Sequence, residues 1–133
     1  MIQAPILLFV YNRPIHTQQA VISLLKNELA AESPLYIYSD AAKTDADQNA
    51  VEETRNFIRQ ITGFASVTVI ERSENWGLAH NIIDGVTTQV SRFGRVIVLE
   101  DDLIVAPYFL QFMNDALETY KDEPRVGHIQ ACD

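Results

Sequence analysis

Apolar residues in this chain occur in two patterns: short unbroken runs, and longer stretches where they recur every three or four positions. In "APILLFVYN" the run Ile6–Val10 predicts a strand buried on both faces. Pro14 follows where a first helical turn accepts proline. Ile15, Val21, Ile22, Leu25 and Leu29 then form the expected stripe of a first helix. "PLYIYSD" predicts a second strand over Leu35–Ser39, ending at Asp40. In "TDADQNAVEETRNFIRQITG" Thr44 or Asp45 is the expected cap of a helix whose stripe is Val51, Phe57, Ile58 and Ile61, with Gly63 closing it. The alternating, β-branched "SVTVIER" predicts a strand over Val67–Glu71. "NWGLAHNIIDGVTTQVSRFG" begins as a loop and becomes a helix, with Leu78, Ile82, Ile83, Val86, Val90 and Phe93 inward and Gly94 as its cap. "RVIVLE" is a fourth strand. Pro107 opens a helix with Phe109, Phe112, Met113, Ala116, Leu117 and Tyr120 as its stripe, and "RVGHIQACD" reads as a fifth strand that the chain's end cuts off.

Strands and helices alternating through short connectors predict one α/β domain over residues 1–133, a mostly parallel, Rossmann-like sheet with helices on both faces. Ligands of such sheets bind beyond the carboxyl ends of the strands. Asn12, Arg13, Asp40, Arg72, Asn75, Glu100, Asp101 and Asp102 all follow predicted strand ends, so they are expected on one rim.

Charge narrows the partners. With 18 acidic and 10 basic residues the formal net charge is -8, which argues against a nucleic-acid backbone as ligand. No run of apolar residues is long enough for a transmembrane helix, and the N-terminus lacks the features of a signal peptide. A single cysteine, Cys132, excludes an internal disulfide and fits a reducing compartment. The expected location is therefore cytoplasmic, with peripheral membrane association and oligomeric state left open.

The chemistry narrows by elimination. The loop after the first strand has neither G-x-G-x-x-G nor G-x-x-x-x-G-K-[ST], and no G-x-S-x-G is present. His16, His80 and His128 are too scattered for a zinc site. What remains is "VIVLEDDLIVAP", an apolar run leading into Glu100, Asp101 and Asp102. Clustered carboxylates suit Mg²⁺ or Mn²⁺, which bind oxygen ligands and often share them with substrate phosphates. In an extended strand Glu100 and Asp102 project to one side and Asp101 to the other. The alternative is that Asp101 or Asp102 ends the strand and caps the next helix. Arg13 is a candidate partner for a diphosphate or for one of these acids, or else a surface arginine. Asp40 either accepts a hydrogen bond from a base or ribose or serves a turn. Asn75, Gly77, His80 and Asn81 stand where a helix start cradles a polar or anionic ligand, or simply shapes helix entry. Trp76 is expected to cover the core.

Taken together, "PILLFVYNRP", "IYSD", "NWGLAHNI" and "VIVLEDDLIVAPYFL" resemble the nucleotide-binding half of glycosyltransferases of the GT-A fold. The likeness is to the group containing N-acetylglucosaminyltransferase I, with its E-D-D-L after a buried strand. It extends to bacterial family 2 enzymes, whose N-x-G-x-x-x-x-N motif is matched by Asn75, Gly77 and, one position early, Asn81. The resemblance implies a metal-dependent enzyme moving a sugar from a nucleotide-sugar donor, a UDP-sugar, to a saccharide or other hydroxyl acceptor. It implies Asp102 as the direct ligand of Mn²⁺ or Mg²⁺, with Glu100 and Asp101 contacting sugar or ribose or orienting waters on the metal. Arg13 would lie near the phosphates and Asp40 near base and ribose. Relatives continue past the end of this sequence, so a catalytic base is expected beyond Asp133, and a donor-binding module without turnover is the alternative. A Mg²⁺-dependent phosphotransfer or phosphohydrolase domain is disfavoured, because Tyr11, Asn12 and Arg13 stand where such proteins carry their key aspartate.

Overall fold

The computed structural model describes residues 3–121 and the backbone of residues 129–130. Its strands are β1 (Ile6–Val10), β2 (Pro34–Ser39), β3 (Ser66–Glu71), β4 (Ile97–Glu100) and β5 (Ile129–Gln130). Its helices are α1 (Pro14–Leu25), α2 (Gln48–Ile58), α3 (Leu78–Phe93) and α4 (Phe109–Thr119), with short 3₁₀ turns at Glu28–Glu32 and Asp45–Asp47. Of the expected fifth strand, Ile129 and Gln130 pair with β4; the other residues of "RVGHIQACD" and Cys132 lie outside the described residues.

The sheet is parallel throughout, in the order β3-β2-β1-β4-β5. From β1 the chain steps outward to β3, then crosses back to β4 on the other side of β1. That reversal leaves a crevice at the carboxyl ends of β1 and β4, where neighbouring connections diverge. β1, in the middle, is buried along its whole length, which explains its unbroken apolar run. β3 flanks β2 and is half exposed, which explains its alternation.

Register divides the side chains between two cores. Ile6, Leu8, Val10, Leu35, Ile37, Ile97 and Leu99 share one face, packed with Val21 and Leu24 of α1, Ile58 of α2, and Leu110, Met113 and Leu117 of α4. Leu7, Phe9, Tyr36, Tyr38 and Val98 share the other, covered by Ile82, Val86, Val90 and Phe93 of α3. Each fully buried aliphatic side chain contributes about 1.5–3 kcal/mol. Gly85 lets α3 come down onto this second face: a Cβ there would sit 2.9 Å from Phe9 Cζ and 3.0 Å from the Tyr38 ring. Phe9 and Tyr38 are themselves stacked, with ring centroids 5.1 Å apart.

Several expected helix faces are rotated. In α1 the buried row is Thr17, Ala20, Val21, Ser23 and Leu24, whereas Ile15, Ile22 and Leu25 are exposed. Two rows one residue out of phase both satisfy the helical spacing, and the winning row carries small and hydroxyl side chains that return their hydrogen bonds to the helix. Thr17 Oγ1 donates to the Arg13 carbonyl at 2.8 Å, and Ser23 Oγ to that of Ala20 at 2.7 Å. Leu78 and Ile83 of α3 are likewise exposed, with Asn81, Gly85 and Gln89 buried in their stead. In α4, Phe112 is exposed, as is Tyr120 just beyond it, and the helix begins at Phe109, after Pro107. α2 keeps Val51, Phe57 and Ile58 of its expected stripe but ends before Ile61, and neither Thr44 nor Asp45 caps it; a 3₁₀ turn intervenes and Asp47 takes the cap position. Gly63 lies beyond the helix end with φ at 100°. Gly94 caps α3 as expected, with φ at 80° and its N–H donating to the Val90 carbonyl.

Polar side chains of α1 and of the turn just past it also hold the segment that follows β4. Ser23 Oγ accepts the Val105 N–H at 3.1 Å, and buried Asn27 accepts the Leu110 N–H at 2.9 Å while donating to the Ala106 carbonyl at 3.2 Å. Asn114 of α4 in turn accepts the Ala4 N–H at 2.9 Å. Removing Asn27 orphans buried groups on both partners, so Asn27→Ala should cost about 3 kcal/mol in urea denaturation. A cost below about 0.5 kcal/mol, the range of ordinary surface changes, would mean that this clamp is not made.

Candidate functional site

A cleft of about 550 Å³ opens at the carboxyl ends of β1, β2 and β4, against the start of α3. Phe9 and Tyr38 supply its apolar floor. Asn12, Arg13, Asp40, Asn75, Gly77, Asn81, Glu100 and Asp101 line it, drawn from four separate stretches of the sequence. Asp102 does not line it and is exposed. Tyr11 and Lys43 also line it, and neither was singled out by sequence reasoning.

The three motif acids have different surroundings. β4 ends at Glu100, which pairs in register with Phe9 and thus faces the cleft side of the sheet. Asp101 and Asp102 are in a turn, so the expected alternation that set Glu100 and Asp102 on one side does not extend to them. Half-buried Glu100 has no side-chain hydrogen bond or ion pair among the described residues. Buried Asp101 is paired with Arg13 and hydrogen-bonded to it. Desolvation raises the pKa of Asp101, and the Arg13 guanidinium only partly opposes this.

Asp40 is spent on structure. Its buried carboxylate accepts four N–H bonds: from the Ala41 and Trp76 backbones and from the Gly77 backbone, each at 2.9 Å, and from Asn75 Nδ2 at 3.1 Å. Asn75 Nδ2 also donates to the Ala41 carbonyl. The end of β2 is thereby stitched to the loop that enters α3. Gly77, with φ at 82°, makes the turn that a side chain would strain. Asn81 is buried and committed too, donating to the Gly77 carbonyl and accepting from Arg72 Nε at 2.9 Å.

Arg72 fastens this loop from beneath. It pairs with Asp84 at 2.7 Å, and its guanidinium lies 3.6 Å from the Trp76 ring centroid. Trp76 therefore stacks on a cation at a partly exposed position instead of covering the core. His80 is exposed and lies off this cleft, in a shallow groove on the outer side of the same loop. Arg55 of α2 ties the neighbouring strand ends together, donating to the Ser39 hydroxyl and to the Ser39 and Arg72 carbonyls.

Outside the cleft lining, Asp47 accepts from Tyr11 Oη at 2.8 Å and from Asn12 Nδ2 at 3.0 Å. These two hydrogen bonds hold the Asp47 carboxyl below its ordinary range. Tyr11 Oη also accepts the Lys43 N–H at 2.9 Å. No local signal marks these partners, which lie more than thirty positions apart. No protein-family model and no curated protein sequence matches the chain. Among the described residues no three His, Cys, Asp or Glu side chains are grouped to hold a metal unaided, and no helix is long and apolar enough to cross a membrane.

The Asp101 shift fixes the sign of a pH effect. Unfolded, Asp101 ionises near its ordinary value of 3.8; folded, it keeps its proton to higher pH. The folded state then binds more protons across that window, so stability falls as pH rises from about 3.8 through the raised value and levels off above it. Denaturation of wild type and Asp101→Asn across this range should show the wild-type advantage shrinking as pH rises. An advantage that grows with pH would mean that the Arg13 pair outweighs burial.

Proposed function

We propose that this cleft binds a nucleotide sugar, a UDP-sugar, together with Mn²⁺ or Mg²⁺, for transfer of the sugar to a hydroxyl acceptor. The observation that carries the reading is the meeting of Arg13, Glu100 and the Asn75–Gly77 loop at the point where the strand order of the parallel sheet reverses. That position is the favoured ligand site of open α/β sheets. The volume is in the range of small-molecule sites, and the apolar floor under a polar rim suits a base joined to phosphates. The resemblance to GT-A glycosyltransferases supplies the identity of the ligand.

The residues present fit a hard cation in kind, since the carboxylates are oxygen ligands, but they do not complete its shell. A cation bound at this rim would draw its remaining ligands from the diphosphate and water. In that arrangement Glu100 offers a free carboxylate from within the cleft and Asp102 one from its outer side. When bound, the metal would offset negative charge developing on the departing diphosphate. Arg13, held by Asp101, donates to phosphate oxygens without having to be ordered on binding. Asp40 acts by positioning: it fixes the Asn75–Gly77 loop and so the entry of α3, whose N-terminal end favours negative charge.

A second reading, donor binding without turnover, is favoured by the state of the carboxylates. Asp40 and Asp101 are committed, and Glu100 cannot both hold a donor complex and deprotonate an acceptor hydroxyl. Calorimetric titration with UDP and UDP-sugars, with and without Mn²⁺, tests donor binding directly. Metal-dependent binding is expected, weakened about tenfold or more in Glu100→Gln and in Asp102→Ala. Absence of metal-dependent binding overturns the donor site; unchanged binding in Asp102→Ala removes that residue from the metal. Hydrolysis or transfer of the bound sugar separates the two readings.

A further inference from the structure

Lys43 and its anchorage are unused by the site as described. Lys43 is among the residues that line the cleft, is exposed, and its ammonium has no ion pair or hydrogen bond among the described residues. Arg13, the other cation of the cleft, is already paired with Asp101. Among the residues lining the cleft, Lys43 is thus a cation without an ion-pair partner, in a lining that also includes Asp40, Glu100 and Asp101.

The backbone beneath that ammonium is fixed in a way that an ordinary surface lysine is not. The Lys43 N–H donates to Tyr11 Oη at 2.9 Å, and the same hydroxyl donates to Asp47 at 2.8 Å. Asn12 closes the arrangement by donating to the second oxygen of Asp47. Both ends of the Lys43–Asp47 loop are thus tied to the two residues that follow β1. Holding a loop in this way costs chain entropy, and its effect is to fix the backbone of a cationic residue at the edge of the cleft.

Resting on the nucleotide-sugar reading, we propose that Lys43 is the residue by which the cleft selects a diphosphate over a monophosphate or an uncharged nucleoside, and that Tyr11 positions it. An ammonium is a compact point charge with three donors, suited to a terminal or bridging phosphate whose other oxygens are held elsewhere. Because the cleft's acids otherwise repel a polyanion, the loss of this charge acts on the phosphates and leaves the base and ribose unaffected.

The test is calorimetric titration of UDP, UMP, uridine and inorganic pyrophosphate, each with Mg²⁺, into wild type, Lys43→Met, Lys43→Arg and Tyr11→Phe. Lys43 is exposed, so its variants keep the fold. In Lys43→Met, UDP and pyrophosphate should each bind about tenfold more weakly, with uridine unchanged, and Lys43→Arg should recover most of the loss. Tyr11→Phe should weaken UDP binding in the wild-type background but add nothing in the Lys43→Met background, which a separate structural role for Tyr11 would not produce. An unaltered ratio of UDP to UMP affinity, or of UDP to uridine affinity, in Lys43→Met overturns the proposal and leaves donor binding standing. Lys43-dependent pyrophosphate binding without any UDP binding overturns the nucleotide reading and sustains the role of Lys43. Absence of both overturns both.

Discussion

The candidate site depends on a single buried charge being answered. A carboxylate out of water is costly unless its lone pairs are filled, and Asp40 fills them with four N–H groups from two separate parts of the chain. Those bonds decide where the loop after β3 lies, and hence where α3 begins. Arg72 adds a second set of constraints to the same loop through Asn81, Asp84 and the Trp76 ring. One wall of the cleft is therefore assembled by hydrogen bonds before any ligand arrives.

The acidic run after β4 owes its tolerance to separation. Three adjacent carboxylates would repel one another strongly if all faced one side in a dry environment. Termination of the strand at Glu100 breaks the alternation and sends each group to a different setting: a half-buried cleft position, a buried pair with Arg13, and solvent. An arginine from the start of α1 offsets the worst placed of them. The run is thus neither a simple cap nor a preformed metal cage, but a divided set with one free member facing the cleft.

Sequence reading recovered the strands nearly to the residue, because β1, β2 and β4 are apolar runs too short for helices and flanked by turn-forming residues. It also brought most of the expected residues to one rim, since strand ends in a parallel sheet share one edge, although Arg72 and Asp102 do not line the cleft. It erred on helix rotation wherever two apolar rows ran side by side, as with Val21 and Ile22, for only the partner surface chooses between them. Asp40 was visible as a strand-end acid that could serve a ligand or a turn, yet the four donors by which it fastens the loop after β3 were not. Ser23, Asn27, Asp47 and Arg55 carried no signal at all, because each works through partners brought close by the fold and not by periodicity.

Helix α1 touches the acidic segment at both ends. Arg13 grips Asp101 where the helix begins, and Asn27, just past its end, grips Ala106 and Leu110. The stretch between β4 and α4 is consequently laid along a rigid rod and cannot swing as a free loop. The segment has therefore lost its freedom during folding, through contacts made within the chain alone. The cost of that ordering falls on the stability of the sheet, so damage to the α1–α4 side of the domain would loosen the Arg13–Asp101 wall of the cleft before it appeared as unfolding.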